Sequence, residues 1–307
     1  MSQPHRSFLR RSGLAVVGAL VAAALVPSAG ASARSAPPGR LALPDGSRPE
    51  GIEARGTTAY VGSLADGDIY ATDVRTGRGR VISQGDGTPA VGLELGRGGD
   101  LWAAGGADGD VKVVKLGSGR VRADFHLAAG ETFINDVVVR RGTAWVTDSL
   151  QAGLFRIRHG HVSRLALGGQ WVQTPGVNNA NGIETTPNGR GLLVINSSNG
   201  ILYRVNPQTG RAVRVRLGGT VLTNGDGLLR EGRTLWVVQN RSNQVAKLRL
   251  APTGRSGRLV VTRTSPAFDV PTTVARSGRF LYLPNARFST PPTPTTSYDV
   301  TRIRAYR

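Results

Sequence analysis

The distribution of apolar residues along the chain is the feature that organises the sequence. Short apolar stretches alternate with turn residues, chiefly Gly, and no long stripe with a helical period of 3.6 residues appears. The stretch 223–238 is representative, because a Gly-Asp-Gly turn leads into an apolar strand, a Gly turn and a second strand that carries Trp236. This pattern predicts two strands joined as a β-hairpin.

The hairpin pattern recurs six times. In each copy an apolar anchor residue precedes an apolar or aromatic partner by eight to ten positions. The anchors are Ile52, Leu93, Val137, Ile183, Leu228 and Val274. The partners, which follow one another at intervals of 42 to 48 residues, are Tyr60, Trp102, Trp145, Leu193, Trp236 and Tyr282. Such a period is typical of propeller blades. The sequence therefore predicts an all-β fold, a six-bladed β-propeller with four-stranded antiparallel blades around a central tunnel.

The start of the chain differs in composition from the repeats. Residues 1–33 have a basic start, an apolar segment too short to span a bilayer comfortably, and a small-x-small site at 31–33. They predict a cleaved export signal of the Sec or twin-arginine type, and hence a secreted or cell-envelope protein without stable membrane insertion after cleavage. Residues 34–44 are predicted to be a flexible start with a candidate closing strand at 41–43, and residues 45–307 the propeller.

Composition narrows the kinds of chemistry. The 307 residues include no Cys, which excludes disulfides, thiolate zinc sites and thiol catalysis, and only four His, which disfavours a His-rich metal site. The formal charge of +19 is compatible with an anionic partner or with solvated, arginine-rich outer strands. No RNA-binding motif accompanies the charge, so we favour solvated strands and predict a monomer without a nucleic-acid partner.

The position two residues before each anchor carries the candidate chemistry. These six residues are Glu50, Val91, Asn135, Asn181, Asp226 and Thr272. The first strand of each blade lines the tunnel of a propeller, so equivalent positions form a ring. A lone Asn or Asp at a strand start often only caps a turn. Two carboxylates and two amides in one register instead predict an oxygen cage for Ca²⁺ or another hard divalent cation, with Glu50, Asn135, Asn181 and Asp226 as ligands.

Several features surround this ring. Strand direction predicts that the long insert 168–180 and the Pro/Thr-rich segment 284–297 open on the same face of the propeller as the ring. The carboxylate of Asp136 is interpreted as bonding the backbone of a neighbouring blade rather than a metal. Glu94 and Glu184, just after two anchors, are interpreted as solvated or structural.

The motifs around the ring resemble those of the senescence marker protein / gluconolactonase (regucalcin-like) family, with paraoxonases as distant relatives. The resemblance spans residues 45–307 and is carried by Pro49-Glu50-Gly51, Asn135-Asp136, Asn181-Gly182-Ile183 and Asp226-Gly227-Leu228. It implies a divalent cation held by Glu50, Asn181 and Asp226, with Asp226 also the catalytic base. It further implies that Asn135 binds the metal, a metal-bound water or the substrate.

One departure from that family bears on the substrate. Gluconolactonases usually carry an arginine two residues before the middle asparagine, where it grips a sugar acid, and Phe133 stands there in this chain. Phe133 and Trp171 in the insert are interpreted as lining a substrate pocket for a molecule less polar than a sugar acid, with packing in the core as the alternative.

Three functions follow as hypotheses. The leading one is a secreted, metal-dependent hydrolase acting on a small-molecule lactone or other ester. The alternative is a non-catalytic extracellular propeller that binds a cell-envelope glycan or protein and holds a structural metal. A lyase or isomerase built on the same funnel is also compatible with the sequence, because the same ring could polarise other carbonyl groups.

Overall fold

The computed structural model describes Met1 and residues 37–306. The predicted export signal therefore lies outside the described residues, apart from Met1. The described chain is made of β-strands with one short 3-10 helix at Arg97–Gly99. No helix in this part of the chain is long and apolar enough to cross a membrane.

The strands form six sheets that follow one another along the chain. Numbering starts at β1 (Arg40–Ala42), which belongs to the last sheet. Blade one contains β2 (Pro49–Arg55), β3 (Thr58–Ser63), β4 (Ile69–Asp73) and β5 (Gly79–Ser83). Blade two contains β6 (Leu93–Leu95), β7 (Asp100–Ala104), β8 (Asp110–Lys115) and β9 (Arg120–His126). Blade three contains β10 (Ile134–Arg140), β11 (Thr143–Asp148), β12 (Gly153–Arg158) and β13 (His161–Ala166).

The second half of the chain repeats this plan. Blade four contains β14 (Gly168–Gly169), β15 (Ala180–Thr185), β16 (Leu192–Asn196), β17 (Ile201–Val205) and β18 (Arg211–Arg214). Blade five contains β19 (Gly225–Glu231), β20 (Thr234–Gln239), β21 (Gln244–Leu250) and β22 (Gly257–Thr264). Blade six contains β23 (Ala275–Ser277), β24 (Phe280–Pro284), β25 (Asp299–Arg304) and β1. The predicted six-bladed β-propeller is confirmed.

The strand register follows the sequence repeat. In every blade, the residue after the anchor lies directly opposite the aromatic or apolar partner on the second strand. The six pairs are Glu53–Tyr60, Glu94–Trp102, Val138–Trp145, Glu184–Leu193, Leu229–Trp236 and Ala275–Tyr282. The period read from the sequence is therefore the period of the cross-strand pairing itself.

Glycines that follow ring residues mark the closest approach between neighbouring blades. A Cβ atom on Gly51 would lie 2.1 Å from the carbonyl oxygen of Val91, and one on Gly182 would lie 2.3 Å from that of Asp226. Both distances are far below a normal contact with backbone. These glycines are needed because the inner strand of the next blade passes directly against them.

The N-terminal strand closes the ring. Strand β1 is the outermost strand of blade six, and Leu41 pairs with Val300 of β25. Leu41 is fully buried in a cluster with Ile52 and Val61 of blade one and with Tyr282 of blade six. Because β1 and β25 share one sheet, blade six is held both by hydrogen bonds and by the apolar core that it shares with blade one.

The insert at 168–180 contains a short strand. Its first residues form β14, which runs parallel to the outermost strand of blade four, with Gly168 opposite Arg211. Gln170 N then donates to Ala212 O at 2.9 Å. This short fifth strand satisfies backbone groups along the edge of β18, which would otherwise be open to pairing with another chain.

Candidate functional site

A β-bulge places each polar ring residue. In blades one, three, four and five the pairing register shifts between the residue before the ring position and the anchor, for example between Ala180 and Ile183. Two residues, Asn181 and Gly182, thus lie opposite one residue of β16. A bulge bends the strand and re-aims the extra side chain. The same device acts on Glu50, Asn135, Asn181 and Asp226.

All four ring residues are buried. Their exposed fractions are 8% for Glu50, 4% for Asn135, 6% for Asn181 and 3% for Asp226. Polar side chains buried to this extent need partners, because an unpaired polar group in the interior is costly. The arrangement of their partners therefore shows how each side chain is oriented.

The acids of blades one and five approach each other. Burial raises the pKa of Glu50 well above its ordinary value, and the carboxylates of Asp226 and Asp136 raise it further. Burial also raises the pKa of Asp226 to about 7, against the opposing effect of hydrogen bonds from Asn240 and Asn181. Glu50 and Asp226 are therefore near enough for their charges to interact, with Asn181 beside Asp226, and no Lys or Arg of the described residues is among the causes of either shift.

The two asparagines are fixed by the same brace. Asn135 Nδ2 donates to Ser149 Oγ at 2.9 Å, and Ser149 Oγ donates to Ala180 O of the next blade at 2.6 Å. One blade further on, Asn181 Nδ2 donates to Ser197 Oγ at 3.1 Å. The hydroxyl of Ser197 in turn reaches the backbone of blade five. Each amide thus turns its NH₂ group towards the serine, and its carbonyl oxygen is the end left to accept or to coordinate.

Blade five varies this brace. Asn240 takes the place of the serine, and its Nδ2 donates to Asp226 Oδ2 at 2.6 Å. The opposite end of Asn240 accepts from Arg241 N at 2.6 Å, so the amide cannot turn without losing one of these bonds. One carboxylate oxygen of Asp226, Oδ2, is therefore held in place by Asn240.

Sequence reasoning missed Ser149, Ser197 and Asn240. Each of them directly follows the last residue of the second strand in its blade. A small polar residue recurring at that position in blades three, four and five was the available signal. The hydrogen bond between this residue and the first strand cannot be predicted from the pattern, because only the folded hairpin brings the two positions together.

A second set of acids lies deeper on the first strands. Burial raises the pKa of Glu53 to about 8, and the Glu184 carboxylate also raises it, although blades one and four stand opposite each other. Burial and then Glu53 and Glu184 raise the pKa of Glu94. Glu53, Glu94 and Glu184, which lie on the first strands of three blades, are therefore near enough for their charges to interact. Glu94 and Glu184, which are interpreted from the sequence as solvated or structural, are half-buried.

Backbone and arginine partners restrain this glutamate group. Val139 N donates to Glu94 Oε1 at 3.2 Å, and Arg230 N donates to Glu184 Oε1 at 3.1 Å. Arg230 also forms an ion pair with Glu184, at 3.6 Å between Nε and Oε2. These contacts join blade two to blade three and blade four to blade five, so the group is at least structural.

The interpretation of Asp136 is confirmed. Its Oδ2 accepts from Ile183 N of blade four at 3.0 Å, and its Oδ1 accepts from Val137 N at 2.9 Å. Both oxygens are thus occupied by backbone. Asp136 lies close enough to Glu50 to raise that residue's pKa, but its own bonds fix the joint between blades three and four.

The insert and the Pro/Thr-rich segment both reach the ring. Asn179 N donates to Ser149 O, and Ser197 N donates to Asn179 O, each at 2.9 Å. At the other side, Thr272 N donates to Pro284 O at 3.3 Å. The face that carries the ring residues is therefore the face that carries the two long segments, as strand direction predicts.

The two aromatic candidates for a substrate pocket lie on this face and are half-buried. Phe133 directly precedes β10 and packs with an apolar cluster of blades two and three. Trp171 packs on Tyr203, with 4.8 Å between ring centroids, and its Nε1 donates to Gln173 Oε1 at 3.0 Å. Both residues take part in packing, and their assignment to substrate stays a prediction.

The donor set fits a hard cation. In the described chain, no group of three or more His, Cys, Asp or Glu side chains has the geometry of a metal site. The candidate ring contains only two acids, Glu50 and Asp226, and its other donors are the amide oxygens left free by the serine braces. The two buried carboxylates repel each other, and no Lys or Arg of the described residues is among the causes of their pKa shifts. Such a pair is the kind of site that Ca²⁺ stabilises.

Comparison with known proteins supports the architecture. No protein-family model matches the chain, and no curated protein matches it by sequence. Mala s 1, the major allergen of Malassezia sympodialis, superposes with a TM-score of 0.69 at 17% identity, over 86% of this chain and 96% of the allergen. Regucalcin from Agrobacterium tumefaciens, a calcium-binding protein, superposes with a TM-score of 0.61 at 15% identity, over 87% of this chain and 95% of regucalcin.

A third similar structure is that of a lyase. Virginiamycin B lyase from Staphylococcus aureus superposes with a TM-score of 0.59 at 14% identity, over 80% of each chain. At such identities the likeness shows the shared propeller fold and nothing finer. The resemblance drawn from the sequence motifs is therefore supported as far as the propeller fold.

Proposed function

We propose that this protein is a secreted, metal-dependent hydrolase that opens a lactone or cleaves another ester at the mouth of the propeller tunnel. The observation that carries the proposal is the approach of Glu50 and Asp226, two buried acids with the amide of Asn181 beside them. A site that only stabilised the fold would gain nothing from burying two carboxylates in mutual repulsion.

The proposed cation is Ca²⁺, held by Glu50, Asn135, Asn181 and Asp226. All four present oxygen, which Ca²⁺ prefers, and the similarity to a calcium-binding propeller supports the choice. When bound, such an ion polarises a carbonyl oxygen and stabilises the negative charge that develops on it.

The chain's own residues supply the rest of the mechanism. Asp226 is proposed as the general base, because Asn240 fixes one of its oxygens and leaves the other to accept a proton from the attacking water. The braced amide of Asn135 is proposed to orient the substrate or the water. Phe133 and Trp171, which border the ring face, are proposed to contact an apolar part of the substrate.

A histidine-dependent lyase is less well supported. A virginiamycin B lyase variant in which alanine replaces one histidine is catalytically inactive. In this chain His126 ends β9 and His161 begins β13, which are outermost strands, and His159 lies in the turn before β13. None of these three is placed at the tunnel mouth, so hydrolysis by an acid and a cation is the better proposal.

The test is hydrolysis of a panel of lactones and aryl esters, together with calcium binding measured by titration calorimetry. We expect chelation to abolish turnover and Ca²⁺ to restore it. Asp226→Asn is expected to lower kcat by about 10²-fold or more. Asp124→Asn, which changes an exposed acid on the outermost strand β9, is the matched control and is expected to keep full activity.

Two outcomes would contradict the proposal in different ways. Calcium binding without turnover on the whole panel would leave a structural metal and favour the non-catalytic binding propeller. Absence of calcium binding by the wild-type protein would remove the oxygen cage itself.

A further inference from the structure

A cavity lies on the outer side of blades four and five, beside strand β18. It has a volume of about 620 Å³. Five of its eight lining residues are arginines, and none is acidic. The lining residues are Gln170, Arg204, Asn206, Arg211, Val213, Arg214, Arg216 and Arg255. We call this cavity the arginine cleft.

The fold gathers these arginines from separate segments. Arg214 and Arg216 are two residues apart on an extended stretch, so their side chains share one face. Arg216 N donates to Arg255 O at 3.1 Å, which brings the loop after β21 beside β18. Arg214 N donates to Gln170 Oε1 at 2.8 Å, which brings in the start of the insert. Both contacts use the backbone N–H of an arginine and leave the guanidinium groups of Arg214 and Arg216 out.

The positive charge of the cleft is not neutralised by the chain. None of the five arginines forms a salt bridge with any residue that the structure describes. Between residues 185 and 268 the sequence has only two acids, Asp226 and Glu231, and both lie on the innermost strand β19. The outer surface contributed by this segment therefore offers no counter-charge.

The arginines also oppose one another. Arg204 is half-buried, and its Nε donates to Thr253 O at 3.0 Å. Burial, followed by the guanidinium of Arg255, lowers the pKa of Arg204. Like charges held this close destabilise the free protein, and an anion in the cleft would relieve that repulsion.

We propose that the arginine cleft binds a multivalent phosphate or sulfate anion. Planar guanidinium groups pair with such oxyanions through two parallel hydrogen bonds, and several of them favour a ligand with more than one anionic group. The lining residues include no aromatic side chain on which a base could stack, so a nucleic acid is disfavoured. This site is separate from the tunnel mouth and does not rest on the proposed hydrolase activity.

The test is binding of inorganic tripolyphosphate to the full-length protein, measured by titration calorimetry in calcium-free buffer at fixed ionic strength. The cleft variant replaces Arg211, Arg214 and Arg216 with Gln. We expect its affinity to fall at least tenfold. The same titration with sulfate distinguishes a preference for phosphate from general oxyanion binding.

A matched control separates a cleft from general positive charge. The control variant replaces three arginines with Gln: Arg80 on β5, Arg120 on β9, and Arg78, which directly precedes β5. It removes the same number of charges from the outer parts of blades one and two. We expect this variant to bind tripolyphosphate within twofold of wild type. If the triple cleft variant does not fold, as judged by circular dichroism, the single change Arg214→Gln is expected to weaken binding by itself.

Three results would overturn the proposal. The first is absence of binding to the wild-type protein, and the second is an equal loss in the cleft and control variants. The third is tighter binding of a single-stranded oligonucleotide of the same charge, which would assign the surface to nucleic acid.

Discussion

At the scale of single residues, the tunnel mouth shows how hydrogen bonds can turn a neutral amide into an oxygen donor. Asn135 and Asn181 each give their NH₂ group to a serine at the end of the second strand. Asp226 is held in the same way by Asn240. The ring residues are therefore oriented by partners within their own blades before any ligand arrives, which lowers the cost of binding one.

The first residue-scale prediction concerns Asn240. Asn240→Ala removes the donor to Asp226 Oδ2 and frees the carboxylate to rotate. We expect calcium affinity to fall about tenfold, the usual effect of losing a residue that positions a metal ligand. Titration calorimetry measures it. Ser242→Ala, two residues away in the same turn, is the control, and equal affinity of Asn240→Ala and wild type would contradict the role of Asn240.

The second residue-scale prediction concerns pH. Because burial raises the pKa of Glu53 to about 8 from its ordinary 4.5, the folded chain keeps a proton that the unfolded chain has lost in that range. The free energy of unfolding in calcium-free buffer should therefore fall as pH rises from 4.5 towards 8. Urea titrations at several pH values measure this slope.

Glu53→Gln tests the source of that slope, since glutamine does not ionise. We expect a shallower decline of stability with pH in this variant, and no change of slope in Glu131→Gln, whose side chain is exposed. A slope in Glu53→Gln as steep as in wild type would mean that other groups govern the pH dependence.

At the scale of strands, the inner strands are spaced by glycine. The prediction is that Gly182→Ala lowers the free energy of unfolding by about 1–3 kcal/mol, because the new Cβ would meet Asp226 O at 2.3 Å and push blades four and five apart. Gly117→Ala, where a Cβ would meet no atom within 4 Å, is the matched control. Chemical denaturation measures both, and equal stability of the two variants would count against the close approach.

At the scale of the whole molecule, ring closure depends on one short strand. We predict that Leu41→Ala lowers the free energy of unfolding by about 2–5 kcal/mol, since Leu41 is fully buried between blades six and one. Arg40→Ala on the same strand should change stability little, because its ion pair with Asp299 is exposed. A small effect of Leu41→Ala would mean that blade six holds together without β1.

Most of the architecture was predictable because it repeats. Each blade carries the same local information, namely an anchor, a partner eight to ten residues later and a turn between them, and six copies make the register unambiguous. The outer strands were harder to predict. The pairing of β14 with β18, for instance, joins glycines of the insert to a strand more than forty residues away and leaves no local pattern.

The register of the candidate site residues was predictable, and their surroundings were not. Glu50, Asn135, Asn181 and Asp226 were identifiable because they occupy the same register position. The serine and asparagine residues that hold them could not be identified in advance, because they meet the ring residues only when the strands pair. The influence of Glu184 on Glu53 could not be predicted either, because it acts between different blades.

The sequence alone therefore determined the blade count and the register of the ring positions, since both follow from a short pattern repeated along the chain. Tertiary structure alone decided which oxygens face the channel, which acids repel one another and which arginines share a cleft. The physical reason is that pairing within a hairpin is local. Charges and ligands instead respond to distances through space, and only the closed ring sets those.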